Sequence, residues 1–190
     1  MLAGFSHIGL ATPNMDATLA FYTDVLGFKI VRYDNMGITE GGNMRHVFLD
    51  CGRQELLSFL GPEGVDALPE WHPGINQGLG VPRGFYHFAF NCESEEALGE
   101  RQENLMKHGI TVSDFVDHDW CKSIYFDDPV NLLSLEYTTL TRPFNEDDRT
   151  LSTRFEAPIA LFDYDRTAWI NSEKARFEVL KKRGLLSDTH

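Results

Sequence analysis

The chain has 190 residues, 42% of them hydrophobic and 12% aromatic, and a formal net charge of −12 at pH 7. That length allows one domain or two small modules sharing a core, and the charge argues against nucleic acid or an anionic membrane surface as a partner. With no signal-peptide pattern in Met1-Leu2-Ala3-Gly4-Phe5, no apolar run of membrane-helix length, and Cys51, Cys92 and Cys121 outside any CxxC pair, a cytoplasmic protein without disulfides or a thiolate zinc site is expected.

Residues 4–11 read as a strand with His7 at its centre. Asn14 suits the cap of a helix whose apolar positions Met15, Leu19, Tyr22 and Leu26 fall at helical spacing, and Gly27 ends it. Strands are predicted over 28–33, 45–50 and 54–59, with a loop over 35–42 and a turn at Cys51-Gly52-Arg53. Residues 62–83 are rich in Gly and Pro and read as a connection. The pattern then repeats: a strand from Phe85 holding His87, a helix capped by Ser94 and closed by Gly109, and strands over 110–116, 121–127 and 132–139. The order is β-α-β-β-β in both modules, 4–61 and 84–140, within one domain spanning 1–140. Residues 141–190 form an extension outside the repeat: an acidic solvated linker near 145–148, a short strand over 157–162 and a helix near 171–183.

The repeat carries chemistry. Phe5-Ser6-His7 and Phe85-Tyr86-His87 begin matching strands, and each His is followed by a glutamate, Glu55 after 48 residues and Glu136 after 49. Two imidazoles and a carboxylate leave a divalent metal with open positions and suit a redox-active Fe(II) or Mn(II). His46 reads either as an ordinary strand histidine or as an acid–base group reaching the same cleft. His72 reads as loop surface, His108 as a helix C-terminal histidine, and His190 is terminal.

Val116-Asp117-His118-Asp119-Trp120-Cys121-Lys122-Ser123-Ile124-Tyr125-Phe126-Asp127-Asp128-Pro129-Val130-Asn131-Leu132-Leu133-Ser134-Leu135-Glu136 resembles the extradiol dioxygenase signature: a His, an aliphatic-Tyr pair, an Asp-Pro turn and a Glu. With the repeated histidines it makes residues 4–140 resemble the vicinal oxygen chelate superfamily. That group holds glyoxalase I, methylmalonyl-CoA epimerase, extradiol dioxygenases and fosfomycin- or bleomycin-resistance proteins. The resemblance implies an α+β fold of two tandem βαβββ modules forming an open mixed-β, barrel-like cleft. It implies His7, His87 and Glu136 as metal ligands, with Fe(II) favoured and Mn(II), Ni(II), Co(II) or Zn(II) as alternatives. His118 and Tyr125 would hydrogen-bond the bound catecholate or dioxygen.

Asn131 stands where the family has Gly, and Glu136 lies one residue further from the Asp-Pro turn than usual. The expectation is therefore a left-handed Asn131 and a β-bulge that absorbs the extra residue. Ser134 shares the strand face of Glu136, but a hydroxyl is the poorer ligand for a dication. Glu55 divides the implied activities: at that position a Glu is a fourth ligand or base in glyoxalases and epimerases, whereas extradiol enzymes hold a non-ligating His. Glu55 thus counts toward a lyase or isomerase, while His118 and Tyr125 favour the function the resemblance implies first, extradiol ring cleavage of a catechol-like substrate as in aromatic-compound catabolism. The alternatives are a lyase or isomerase acting on an α-hydroxycarbonyl or acyl thioester, and a metal-free module binding a small molecule. A homodimer is expected, with the modules pairing either within one chain or between two.

Overall fold

The computed structural model describes residues 4–65 and 68–150. The first half holds β1 (His7–Ala11), α1 (Met15–Ala20) continuing as a π-helical turn (Phe21–Val25), β2 (Lys29–Gly37), β3 (Asn43–Asp50) and β4 (Leu56–Glu63). After a connection containing α2 (Ile75–Leu79), the second half holds β5 (His87–Asn91), α3 (Glu95–Lys107), β6 (Val116–Asp117), β7 (Cys121–Asp127) and β8 (Ser134–Leu140), followed by α4 (Glu146–Thr150). The strands form two four-stranded sheets, β1-β4-β3-β2 and β5-β8-β7-β6. In each, the first strand runs parallel to the last and the remaining pairs are antiparallel. The class is α+β with a duplicated βαβββ order, as expected, and the sheets do not close into a barrel.

The helix signals act as predicted. The Asn14 side chain accepts a hydrogen bond from Ala17 N at 3.0 Å and Ser94 Oγ one from Ala97 N at 3.2 Å, each satisfying an amide that has no partner within its helix. Gly27 and Gly109, at φ +77° and +73°, take the left-handed conformation past each helix end. The first helix widens in its final turn, where Leu26 N reaches Phe21 O at 3.2 Å. That geometry places the neighbouring residues Phe21 and Tyr22 both in the core.

Several boundaries differ from expectation. β2 continues to Gly37, so the predicted 35–42 loop shrinks to a hairpin turn. β4 begins at Leu56 because Arg53 and Gln54 take left-handed φ of 55° and 65°, which breaks the extended run. Of the 110–116 strand only Val116–Asp117 and a single Val112–Phe126 bridge form. The connection contains α2, a five-residue helix too short to leave a periodic signal among its prolines. The acidic linker starts as α4, and Arg142 ties that region down by ion pairs to Asp148 at 2.7 Å and Asp119 at 2.6 Å. The strand expected over 157–162 and the helix near 171–183 lie outside the described residues.

Strand side chains alternate between faces, and one face of each sheet enters a single core. Val47, Leu49, Leu57 and Phe59 come from the first sheet and Phe90, Ile124, Phe126, Leu135 and Tyr137 from the second, with Tyr22, Leu26, Leu98 and Leu105 from the helices between them. Aromatic contacts run through it: Tyr22–Phe59 at 4.8 Å, Phe28–Phe90 at 5.1 Å and Phe126–Tyr137 at 5.2 Å between ring centroids. Each such side chain contributes about 1.5–3 kcal/mol by leaving water. The halves also interlock through polar groups. Tyr22 Oη donates to Asp128 Oδ2 at 3.1 Å, and α3 reaches back through Arg101 to Leu26 O at 3.0 Å and Asn104 to Val25 O at 2.7 Å.

With the inner faces turned to one core, the alternate residues face out. These are His7, Gly9 and Ala11 on β1 and His87, Ala89 and Asn91 on β5, and all six are exposed. β1 and β5 each lie at a sheet edge and do not pair with one another.

Candidate metal centre

The ladder of the second sheet aligns Ala89, Glu136 and Tyr125 side by side, with His87 two residues before Ala89 on the same outer face. His87 Nε2 lies 3.1 Å from Glu136 Oε2. Its Nδ1 is 2.8 Å from Gly84 O, an acceptor only, so the Nδ1 proton is committed there. The other nitrogen therefore faces a carboxylate that is only 6% exposed. Two donor atoms about 3 Å apart match neighbouring corners around a metal with bonds near ~2.1 Å. An imidazole nitrogen and a buried carboxylate oxygen aimed at one point are chemically suited to a divalent cation.

Tyr125 completes this face. Its hydroxyl is 2.8 Å from His118 Nε2. Burial, and then the negative charge of Glu136, push the phenol up to about 12, so it keeps its proton at neutral pH. His87, Glu136, His118 and Tyr125 thus form one group, assembled from β5, β8 and the residues leading through β7.

The turn between β7 and β8 sets this register. Asp128 is fully buried and accepts from Val130 N at 2.7 Å, Asn131 N at 3.0 Å, Asn131 Nδ2 at 2.7 Å and Tyr22 Oη. Burial raises its carboxyl above the ordinary value although these donors oppose the shift. The expected left-handed Asn131 and the expected bulge are both absent. Leu132 takes the left-handed φ of 57°, and the ladder from Cys121–Leu140 to Asp127–Ser134 is unbroken. The extra residue is absorbed in the turn, where Asn131 is needed to hydrogen-bond Asp128. Ser134 does share the face of Glu136 and is within 3.3 Å of Asn76 Nδ2, which leaves Glu136 beside His87.

His7 stands on the other sheet. Its Nδ1 is 3.2 Å from Ser6 Oγ, and its ring packs edge-on against Phe48 at 5.4 Å. Glu55 lies outside β4, exposed in a turn closed by Cys51 N to Glu55 O at 3.0 Å. The residue that pairs with Gly9 as Glu136 pairs with Ala89 is Ser58. The near-equal spacings of 48 and 49 residues therefore do not mean equal register: on the face of His7, β4 presents Leu56, Ser58 and Leu60. Among the described residues no three His, Cys, Asp or Glu side chains gather as a metal site within one chain.

The remaining histidines divide by place. His46 shares the outer face with His7, its ring 4.2 Å from Phe48 and its Nε2 buried without a hydrogen-bond partner. His72 lies in the connection, where its Nδ1 accepts from Gly74 N at 3.1 Å. His108 closes α3. Two supports of the site had no sequence signal. Gly84 acts through its carbonyl, and Asn76 on α2 holds the entry to β5 by hydrogen bonds to Tyr86 O at 2.8 Å and from Tyr86 N at 2.9 Å.

The sequence model of the Glyoxalase/Bleomycin resistance protein/Dioxygenase superfamily matches residues 4–133. The chain belongs to this superfamily. No curated protein matches the sequence. Among solved structures, SMU.1112c is similar at 24% identity and a TM-score of 0.56, over 73% of this chain and 99% of that one. A glyoxylase/bleomycin resistance protein/dioxygenase domain from Frankia sp. EAN1pec is similar at 21% identity and 0.53, over 74% and 99%. Lactoylglutathione lyase from Agrobacterium tumefaciens follows at 23% and 0.50, over 73% and 94%. These likenesses are of fold. Superfamily members commonly use divalent metals, bind small molecules and often form dimers; many are enzymes and some are binding proteins. No helix among the described residues is long and apolar enough to cross a membrane.

Proposed function

We propose that the chain is a metal-dependent extradiol dioxygenase acting on a catechol-like aromatic, with its metal held by His87 and Glu136 of one subunit and the partner subunit's His7. The observation that supports this reading is the His118–Tyr125 pair at 2.8 Å on the face of His87 and Glu136. It is joined by the lack of any carboxylate on the β4 face beside His7, where the lyase and isomerase reading needs Glu55 as fourth ligand or base. A metal held there by His87, Glu136 and the partner subunit's His7 would supply Lewis acidity toward the substrate and, as Fe(II), redox chemistry toward dioxygen.

The protein's own groups do the rest. His87 and Glu136 fix the position of the diol end. Tyr125, held neutral, donates a hydrogen bond, and His118 takes up or returns a proton at the Tyr125 hydroxyl. What supports the crossing between subunits is the shared core, since each outer face lies opposite the sheet face packed into it.

The test is dioxygen uptake by anaerobically prepared, Fe(II)-loaded protein given a panel of catechols, with the yellow ring-opened product followed in parallel. Substrate-dependent uptake with coloured product is expected. No uptake by protein that holds its metal would point to a lyase or isomerase, and no retained metal to a binding module. The shared site is tested by mixing His7→Ala with Glu136→Ala, each inactive alone. Random reassociation of a twofold dimer restores about a quarter of wild-type activity, because one site of each mixed dimer is intact. No recovery would overturn the subunit-crossing arrangement.

A further inference from the structure

Each sheet has a second edge, opposite β1 or β5, and the two copies of the repeat treat it differently. In the second half that edge strand, β6, is cut to two residues, Val116–Asp117. In the first half β2 runs for nine residues, Lys29–Gly37, with β3 on one side. Among the described residues no strand takes its other side. Half of the N–H and C=O groups of β2 therefore point away from the sheet, where they form a template for a further strand.

A short edge strand is one way in which folded proteins keep a sheet from being extended, and β2 does without it. It carries Ile30, Val31, Tyr33 and Met36 instead, each between 42% and 52% exposed. Tyr33 is held in place from the inner side, where Arg45 lies 5.4 Å over its ring and donates to its hydroxyl. On the outer face Arg32 and Asp34 are paired at 2.8 Å, with both side chains reaching solvent.

This strand is complementary to itself. A twofold axis normal to a sheet keeps each face on its own side, so a strand meets its copy only with residues of one face opposite residues of the same face. The axis must then pass through a residue. Centred on Arg32 or Asp34, it sets like charges against each other; centred on Val31 or Asn35, it leaves neither charge opposite its complement. Centred on Tyr33, it places Arg32 opposite the partner's Asp34 and Asp34 opposite the partner's Arg32, with the two Tyr33 rings side by side between them. The bulge between Ile30 and Arg32 lies outside these three central positions.

We infer that β2 is an interface for a second copy of this chain, in which two β2 strands pair antiparallel about a twofold axis at Tyr33 and two four-stranded sheets become one. Because such a contact is the same surface on both sides, the Arg32–Asp34 pair is made twice, and the charges fix the register as well as the partner. The interface uses no residue of the metal centre. Where subunits also cross at that centre, β2 joins dimer to dimer; where they do not, it makes the dimer itself.

Sedimentation velocity of the full-length metal-free protein tests this. Arg32→Asp and Asp34→Arg each set like charges against each other, and each should halve the mass of the assembly and weaken association at least tenfold. Mixed in equal amounts, the two variants should regain the wild-type mass, since each then meets the charge it lacks. The exchanged chain Arg32→Asp/Asp34→Arg should associate as wild type does, which also shows that neither substitution acts by unfolding the strand. Hydrogen exchange should find β2 amides protected in wild type and released in Arg32→Asp. A mass unchanged by both single variants would overturn the interface. So would single variants that fail to reassociate on mixing, or β2 amides that exchange equally fast in wild type and Arg32→Asp.

Discussion

Tyr125 stands against a buried carboxylate and within hydrogen-bond reach of an imidazole, so its protonation state is set by its neighbours. With the phenol pushed up to about 12 by burial and by Glu136, ultraviolet titration of metal-free protein should show one tyrosine ionising near that value. The signal should be missing in Tyr125→Phe and moved to lower pH in Glu136→Gln, which removes the opposing charge. If Tyr125 and His118 handle protons as proposed, Tyr125→Phe should retain its metal and lose about 100-fold or more in kcat. An unchanged rate with catechol would remove Tyr125 from the chemistry. Asp128 makes a separate prediction at this scale. Asp128→Ala strands Tyr22, Asn131 and two backbone amides, and should cost about 3 kcal/mol in urea unfolding.

The elements explain which features could be read from the chain. Helix caps act over three or four residues, so Asn14, Ser94, Gly27 and Gly109 announced α1 and α3 directly; Ser94→Ala should cost about 1 kcal/mol by thermal melting. His87, His118, Tyr125 and Glu136 were legible because one continuous segment and one strand carry them. Glu55 was misplaced for a physical reason. Register along a parallel pair depends on how the preceding turn spends its residues, and that depends on left-handed conformations at Arg53 and Gln54, which neither side chain advertises. The same applies to Leu132, an apolar residue in a conformation usually left to Gly or Asn. Nor does strand alternation tell whether the first strand of one module lies beside that of the other in the same chain. That is decided by the packing of two inner faces into one core.

At the scale of the molecule, the core makes stability depend on alkaline pH. Burial raises the phenols of Tyr22, Tyr125 and Tyr137 above the ordinary value of 10. A group whose pKa is higher folded than unfolded contributes stability that is complete below its unfolded value and is lost as pH rises through its folded one. The urea midpoint should therefore be insensitive to these groups below pH 10 and fall steeply from pH 10 toward 12, less steeply in Tyr125→Phe. A flat profile over that range would mean the phenols are solvated.

The interlocked halves also have a practical use. Each β-sheet is complete within its own half, and the polar groups that join the halves lie in the first helix, α3 and the Asp128 turn, not in the linking segment. A cut after Gly64, ahead of α2, should yield two fragments that reassemble only when they are held close together. Fused to two other proteins, they would report proximity by regaining a fold, so the duplication that built this chain also marks where to divide it into a split sensor.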